Sequence, residues 1–479
     1  MSFDDLGLNV GPVYEGQRIR ANDMLVELGG PKEPKKFELC QVKPMKDIVD
    51  GQVLIKGPDL ADMKAGEHYP IGIYIEVAGK ALETDLEAVF ERRIHQLLNY
   101  IEGIMHLNQR NETWMRISKK GFEKGLNTFK KVGTILVRLF KAELGIIEKA
   151  QVTFFTAPET IAPIHALALK TYEARDARAR GLKDEDVTEF YGCVLCQSFA
   201  PTHCCAITPN RTSLCGSINW FDARAAAKVD PTGPIFKVDK GQCLDPLKGE
   251  YTGINEAVSK RSLGEVKRVN LFSGLEFPHT SCGCFEAITF YIPEVEGFGI
   301  VDRNFKGNSP NGLPFSTMAN STGGGKQTPG FCGIAIEYLR SPKFLQADGG
   351  WKRIVWLPAA IKERVKDSIP AEMKDKIATE AEAVDIAALQ KFLKEKNHPV
   401  MERWAKEEEA GEEVSAEEAA ATGMVPAGGI PMGTMTMAMP GAGGMGGVQL
   451  ILKNCKIHAE TIIIKKMEPG AAGDKKKKK

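Results

Sequence analysis

A multidomain α+β protein is what three features of this 479-residue chain predict. Short β-branched and aromatic runs bounded by Gly and Pro fill residues 1–80, the pattern of small sheets. Helical periodicity takes over between about residues 84 and 180 and returns near 358–395. Beyond Glu407 the composition turns acidic and then Gly/Met/Pro-rich without any period. A chain this long holds two or three domains and can bury a large core. The implied organisation is an α+β domain over 1–185 and a second α+β domain over 186–395. A linker over 396–446 and a C-terminal docking segment with a Lys-rich tail over 447–479 follow.

The elements follow in order. QVLIKG (52–57) and YPIGIYIEVAG (69–79) read as strands. Thr84 and Glu87 form a capping box for a helix whose apolar face is Leu86, Val89, Phe90, Ile94, Leu97, Leu98, Ile101 and Ile104. A basic amphipathic helical segment is expected from Ser118 to Leu144. VTFFTA (152–157) reads as a buried strand, and Pro158 to about Arg178 as helix. In the second domain EVKRVNLFSG (265–274) and EAITFYIPEV (286–295) read as strands. PAAIKERVKDSI (358–369) and the Glu/Ala-rich stretch after Pro370 read as helix. The acidic run from Glu407 and VPAGGIPMGTMTMAMPGAGGMGG (425–447) read as a flexible linker. VQLILKNCKIHAETIIIKK (448–466) reads as a hairpin or docking strand before a solvated lysine tail.

Composition removes several function classes. There are 63 Lys and Arg against 62 Asp and Glu, a formal charge of +1, so a general nucleic-acid or membrane-surface footprint is not expected. No apolar run reaches the ~20 residues of a membrane helix. The first residues lack an apolar signal core, so a cytoplasmic protein is expected. Eleven cysteines, an odd number, point to reduced thiols and metal ligands rather than a disulfide framework. Cys40, Cys243, Cys332 and Cys455 stand alone and are expected to behave as small buried hydrophobes.

The remaining cysteines are concentrated. CVLCQSFAPTHCCAITPNRTSLC (193–215) places Cys193, Cys196, Cys205 and Cys215 at C-x2-C-x8-C-x9-C and leaves Cys204 unassigned. Structural zinc usually takes two short knuckles, and only the first pair here is one. A single knuckle with two lone ligands on a Gly/Pro-containing loop suits a 4Fe–4S cube better, although zinc stays open on spacing alone. Farther on stands Cys282-Gly283-Cys284. Two thiolates and the amide nitrogens of Gly283 and Cys284 can wrap one metal in a square N2S2 set, which suits nickel or copper rather than zinc. Glycine in the middle keeps a Cβ from crowding the flattened backbone.

The four-cysteine pattern, the distant Cys-Gly-Cys and three further stretches together resemble the acetyl-CoA synthase family. Within it the likeness is to the β subunits of archaeal acetyl-CoA decarbonylase/synthase complexes. The stretches are GIMHLNQRNETWMRISKKG (103–121), FSGLEFPHTSCGCFEAI (272–288) and NSTGGGKQTPGFCGIAIEYL (320–339), and the resemblance spans about residues 10–395. It implies that Cys193, Cys196, Cys205 and Cys215 hold a 4Fe–4S cluster, with Cys196 also bridging to a proximal nickel. Cys282 and Cys284 would bind a distal nickel through sulfur, completed by the amides of Gly283 and Cys284, and bridge to the proximal one. Phe199 would wall the proximal nickel. Trp114 and Arg116 would lie near CoA, with Lys119 and Lys120 supplying charge before a helix whose N-terminal amides add attraction for phosphate.

The implied activity is that of a CO-methylating acyltransferase. It joins, or takes apart, acetyl-CoA from CO, a methyl group brought by a corrinoid iron–sulfur protein, and CoA. CO dehydrogenase subunits and the corrinoid protein are the implied partners in a larger hetero-oligomeric complex. The longest members of the family carry an additional N-terminal domain that docks CO dehydrogenase. This chain starts at what resembles their middle domain, so CO dehydrogenase is expected to be contacted differently. The segment after residue 400 is expected to act as a tether. GGGKQT (323–328) fails the P-loop pattern because Gln327 follows the lysine, and it reads as a tight loop lining the site. His203 and His279, beside cysteines, are expected to support ligands rather than be them. Two other function classes remain on the residues alone: an iron–sulfur electron-transfer subunit without nickel, and a zinc-stapled scaffold.

Overall fold

The helical stripe centred on Phe90 organises the first half of the chain. In the computed structural model, residues 3–110 and 112–404 are described. The linker from residue 405 on, the docking segment, the lysine tail and Cys455 lie outside the described residues. The first half runs β1 (Met24–Gly29), β2 (Lys36–Val42), β3 (Val53–Lys56), β4 (His68–Tyr69), β5 (Ile71–Ala78), α1 (Glu87–Leu98), β6 (Ile104–Gln109) and β7 (Glu112–Ser118). It continues through α2 (Lys119–Glu123), α3 (Phe129–Glu143), β8 (Lys149–Phe155) and α4 (Pro158–Arg180). Two mixed four-stranded sheets form, in the orders β4-β1-β7-β6 and β2-β5-β8-β3. Phe90, Ile94, Leu97 and Leu98 of α1 share their core with Ile135, Leu136 and Phe140 of α3.

Two expectations need correction here. Thr84 opens a 3-10 turn and no capping box forms at the start of α1. The Glu87 carboxylate is drawn off to accept from the Val42 amide at 2.9 Å and to pair with Arg175 at 2.8 Å. Arg175, reaching from α4, also holds Glu91 at 2.9 Å, so a buried charged triad ties α1 to α4, and the Glu91 and Glu87 carboxylates bind β2 amides. The basic helix from Ser118 to Leu144 is in fact α2 and α3, separated at Gly125, whose φ of +105° ends the first turn. Thr128 then caps α3 by accepting from the Lys130 amide at 3.1 Å.

The second half runs β9 (Glu189–Cys193), β10 (Cys205–Ile207), α5 (Trp220–Val229), β11 (Ile235–Asp239), β12 (Cys243–Asp245), β13 (Glu250–Tyr251) and α6 (Thr252–Arg261). After a long irregular stretch come β14 (Ala287–Ile292), β15 (Gly297–Asp302), α7 (Phe315–Thr322), β16 (Phe331–Ile334), β17 (Ile354–Trp356), α8 (Ala359–Arg364) and α9 (Ile386–Glu395). Its sheets are β10-β9-β11, β12-β13 and β16-β14-β15-β17. Val89 of α1 packs into the core of this half, while Ala225 of α5 packs into the core of the first. Helix α1 therefore lies where the halves meet.

EVKRVNLFSG forms no strand. Its Val266, Val269 and Leu271 are buried, but the amides go elsewhere: Val269 to the Asn255 side chain at 2.8 Å, Asn270 to the Phe277 carbonyl at 2.8 Å. PAAIKERVKDSI is helical only through α8. The Glu/Ala-rich stretch yields a 3-10 turn at Ala371–Met373 and then α9. Between them Ala378 pairs with β17 through Val355 and Leu357, an edge contact that competes with helix. Cys40 and Cys332 are buried as expected, but Cys243 is exposed on the two-stranded ribbon. Among the described residues, no helix is long and apolar enough to cross a membrane.

Candidate metal centre and cleft

The cysteines converge because short turns hang them from strand ends. Cys193 closes β9 and stands opposite Cys205, the first residue of β10, in antiparallel register. Between them the chain turns tightly, with the Phe199 and Ala200 amides donating to the Cys196 carbonyl. Strand alternation sends Cys204 and Cys205 to opposite faces. Cys204 lies in a separate apolar core, where burial pushes its thiol up to about 12, so the cysteine left unassigned is a core residue. Cys215 sits in a turn at Gly216, whose φ is +71° and where a Cβ would collide with the Glu286 carboxylate.

The Cys-Gly-Cys segment lies just before β14. It is clamped by the glycine loop: the Gly324 amide donates to the Cys282 carbonyl at 3.2 Å and the Gly325 amide to the Ser281 carbonyl at 2.8 Å. The Cys284 amide points at the Cys282 sulfur, 3.3 Å away, so thiol and amide donors face one spot. Gly283 has φ +119°, yet a Cβ there would meet nothing within 4 Å. Glycine is needed for its backbone angle and not, as expected from sequence, to relieve crowding.

The sulfurs of Cys196, Cys282 and Cys284 all lie within 4.8 Å of one another. Cys193, Cys196, Cys205, Cys215 and Cys282, with Arg92 and His203, wall a small cavity beside them. The six cysteines are between 3 and 8 % exposed, which is what lets neighbouring charge act strongly on them. Burial pushes the Cys193 and Cys205 thiols up, and Cys196 beside Cys193 and Cys193 beside Cys205 add to this.

The surroundings supply opposite charge. Arg92 of α1, 3 % exposed, donates from Nη2 to the Cys196 sulfur at 3.2 Å, while its Nη1 has no hydrogen-bond partner among the described residues. Burial opposes its charge, but Cys196, Cys284 and Cys215 more than offset that, and its pKa is held well above the usual value. Arg211, also buried, donates to the Leu271 carbonyl and reaches the Cys332 sulfur at 3.6 Å, with Cys205 nearby. Among the described residues neither guanidinium has a carboxylate within ion-pair distance. Two buried cations beside neutral thiols would carry a desolvation cost of several kcal/mol each. Beside metal-bound thiolates they are compensated, so the donor set fits an anionic metal–sulfur cluster.

The histidines behave as supports. His279 Nε2 accepts from the Ala206 amide at 2.9 Å and Nδ1 donates to the Thr280 carbonyl at 2.6 Å. His203 lies against Thr280 Oγ1 at 3.0 Å, and burial brings it down to about 4.

A cleft of about 470 Å³ opens over Cys282, Gly283 and Cys284. Phe199 packs on the cysteines and lines the cleft, and Trp114 of β7 lines it from across the first half. Arg116 does not line it. Its guanidinium stacks on Trp114 at 4.6 Å and is committed to Glu27 at 2.6 Å and to the Ile19 carbonyl at 2.9 Å. Lys119 and Lys120 also stay outside the cleft, Lys119 donating to the Asn22 carbonyl at 3.1 Å. The helix they open, α2, is a five-residue turn whose Gly121 amide Ser118 already caps, so no phosphate cradle forms there. The positive charge in the cleft comes instead from Arg18, Arg303 and Lys326, set against one carboxylate, Glu15. These three, with Arg92 and Arg211, are what sequence reasoning missed. Only Lys326 carried a signal, as the lysine of GGGKQT.

Two family profiles match the chain. One, described as CO dehydrogenase/acetyl-CoA synthase complex beta subunit, spans residues 6–161, and the other, described as the C-terminal part of the ACS/CODH beta subunit, spans 172–405. The chain is 53% identical over 467 residues to acetyl-CoA decarbonylase/synthase complex subunit beta 2 of Methanosarcina thermophila, covering 96% of this chain and 98% of that one. It is 54% identical over 470 residues to the corresponding subunit beta of Methanopyrus kandleri, covering 98% of both. A subunit beta 2 of Methanocaldococcus jannaschii is 55% identical over 466 residues, covering 97% of both.

Proposed function

For a chain that belongs to the family of CO dehydrogenase/acetyl-CoA synthase complex β subunits, we propose that the cysteine centre and its cleft make and break acetyl-CoA. The observation that carries this reading is the meeting of Cys196 from one cysteine group with Cys282 and Cys284 from the other, within 4.8 Å, at the floor of a cationic cleft. Cys193, Cys196, Cys205 and Cys215 would hold a 4Fe–4S cube. Cys282, Cys284 and the amides of Gly283 and Cys284 would hold a distal nickel, and Cys196, Cys282 and Cys284 a proximal one. When bound, the metals supply an electron-rich, thiolate-ligated centre at which a methyl group, CO and the sulfur of CoA are joined or separated.

The protein's own part is to seal, support and attract. Phe199 covers the cysteines on the cleft side and limits water at the reacting atoms. Arg92 and Arg211 offset the negative charge of the buried thiolates, and His203 and His279 brace the loops between them. Arg18, Arg303 and Lys326 outweigh Glu15 and give the cleft the positive field that the phosphates of CoA require. Trp114 offers an aromatic face, braced from behind by Arg116. We also propose that the chain works as an acyltransferase within a hetero-oligomeric complex. CO dehydrogenase subunits would supply CO there, and a corrinoid iron–sulfur protein the methyl group.

Metal analysis of anaerobically purified protein tests the reading. About four iron and about two nickel per chain are expected. Iron alone would indicate an electron carrier, and zinc alone a scaffold. Cys284→Ser is expected to abolish CO/acetyl-CoA exchange while most iron stays bound. Surviving exchange would remove the nickel assignment.

A further inference from the structure

Helix α1 belongs to the half of the chain that carries none of the clustered cysteines, yet it delivers a charge to them. Arg92 crosses from that half, enters the wall of the small cysteine cavity and donates to the sulfur of Cys196 at 3.2 Å. Of the four cysteines in the C-x2-C-x8-C-x9-C cage, Cys196 is the one that also belongs to the three-thiol cluster with Cys282 and Cys284. The second guanidinium nitrogen, Nη1, is buried and has no hydrogen-bond partner among the described residues, and Arg92 is one of the residues lining the cavity. A buried arginine is expensive unless something anionic accepts its donors; among the described residues the Cys196 sulfur accepts one, and the Glu15 carboxylate is near enough to feel the charge.

What holds Arg92 there is unusually firm. Adjacent Glu91 and nearby Glu87 are pinned by Arg175 and by β2 amides, so the rotation of α1 about its axis is set by buried ion pairs on one side. The opposite side is set by Val89 packing into the second half. The guanidinium is not a mobile surface group that happens to touch a thiol.

We propose that Arg92 is the positioning residue that sets the reduction potential of the iron–sulfur cube. A fixed cation at the bridging thiolate does this, with Nη1 left to donate to a sulfur of the cube. This rests on the reading that the four-cysteine cage holds such a cube. Hydrogen bonds to sulfur and net local charge are among the main determinants of iron–sulfur potentials. Reduction adds one negative charge to a centre that is already anionic through its thiolates, and a permanent cation in hydrogen-bond contact favours the reduced form. The effect needs no titration of Arg92, which stays charged throughout the working pH range. It also couples the halves: the cluster's potential depends on α1 being docked against the cysteine-bearing half.

The test uses the full chain, anaerobically purified, with Arg92→Met and Arg92→Lys compared to the unaltered protein. Iron per chain and an EPR-monitored redox titration are the readouts. Arg92→Met is expected to keep its iron and to lower the ratio of reduced to oxidised cube at a given potential by about tenfold or more, about 59 mV for a one-electron couple. Arg92→Lys keeps the charge and is expected to recover most of that shift. Where Arg92→Met loses its iron, Arg92→Gln, which keeps hydrogen-bond donors without the charge, takes its place and the same fall is expected; an unchanged potential there overturns the proposal too. An unchanged potential in Arg92→Met overturns it, and so does equal loss of iron in Arg92→Met and Arg92→Lys, which would make Arg92 a packing residue. Absence of iron from the unaltered protein would overturn the cube reading itself, a distinct result read before any variant is made.

Discussion

Replacing Gly283 by alanine separates backbone conformation from space at the proposed nickel site. Gly283 has φ +119°, and an added Cβ would meet no atom within 4 Å, so no collision contributes to the cost. What remains is the strain of an L-residue in a region glycine alone occupies easily, about 1–3 kcal/mol. The chain can carry that strain, losing about 1–3 kcal/mol of folding stability. Or it can rotate φ, which swings the Cys284 amide away from the Cys282 sulfur it now faces at 3.3 Å. Only the second route, which relieves the strain, weakens a donor set built from both amides and both thiolates, and it leaves the four-cysteine cage untouched; the open space around Gly283 makes that the route taken. Nickel per chain should therefore fall by about tenfold or more at limiting nickel, taking about 1.4 kcal/mol for each factor of ten, with iron per chain unchanged. Gly312→Ala is the control: its φ is +79°, its surroundings are equally open and it does not line the cleft, so it should cost similar stability and leave nickel alone. Anaerobic metal analysis and urea midpoints read both effects. An unaltered nickel-to-iron ratio in Gly283→Ala, or an equal nickel loss in Gly312→Ala, would refute the argument.

Lys326→Met removes one cation from the cleft, and about a tenfold rise in KM for CoA is expected, with kcat within about twofold, the pattern of lost ground-state binding. The rise should shrink as salt is added, and an unchanged KM at low ionic strength would take Lys326 out of the CoA site. His398 bears on acid stability. Its Nε2 donates to the Ile354 carbonyl and its Nδ1 accepts from the Val400 amide, both at 3.0 Å, and burial brings it down to about 4. The folded ring stays neutral while an unfolded histidine gains a proton below about 6.5, so this stabilisation is complete above 6.5 and is lost as pH falls toward 4. Between pH 7.5 and 5 the unaltered protein should lose about 2 kcal/mol more than His398→Gln in urea unfolding. Parallel losses would show that His398 is not responsible.

The cysteines proposed as metal donors lie in two short segments, C-x2-C-x8-C-x9-C and Cys282-Gly283-Cys284, which spacing made conspicuous and the family resemblance gave roles; that Cys196 meets Cys282 and Cys284 appears only in the fold. Cys204 was not placed by spacing, since deciding it needs the face of β10 on which each neighbour falls. Local periodicity was reliable for β3, β5, β8 and α4, where pattern and backbone pairing agree. It failed at EVKRVNLFSG, whose apolar residues are buried while the amides of Val269 and Asn270 bond to Asn255 and Phe277. It also failed at Glu87, a cap by sequence and a buried partner of Arg175 by tertiary contact.

The charge around the cluster follows the same division. Arg92 sits on a helix about 100 residues from the cysteines it faces, and Arg211, though inside the cysteine segment, looks like any loop arginine until Leu271 and Cys332 close on it. A ligand can be read from its neighbours in sequence because coordination demands short-range geometry. The cation that lets a cluster of thiolates stay buried is under no such demand. It needs only to arrive in space, and any rigid element can bring it. A binding site of this kind is thus legible in its donors and illegible in its electrostatics, and the residues expected to tune its chemistry are those that sequence spacing passes over.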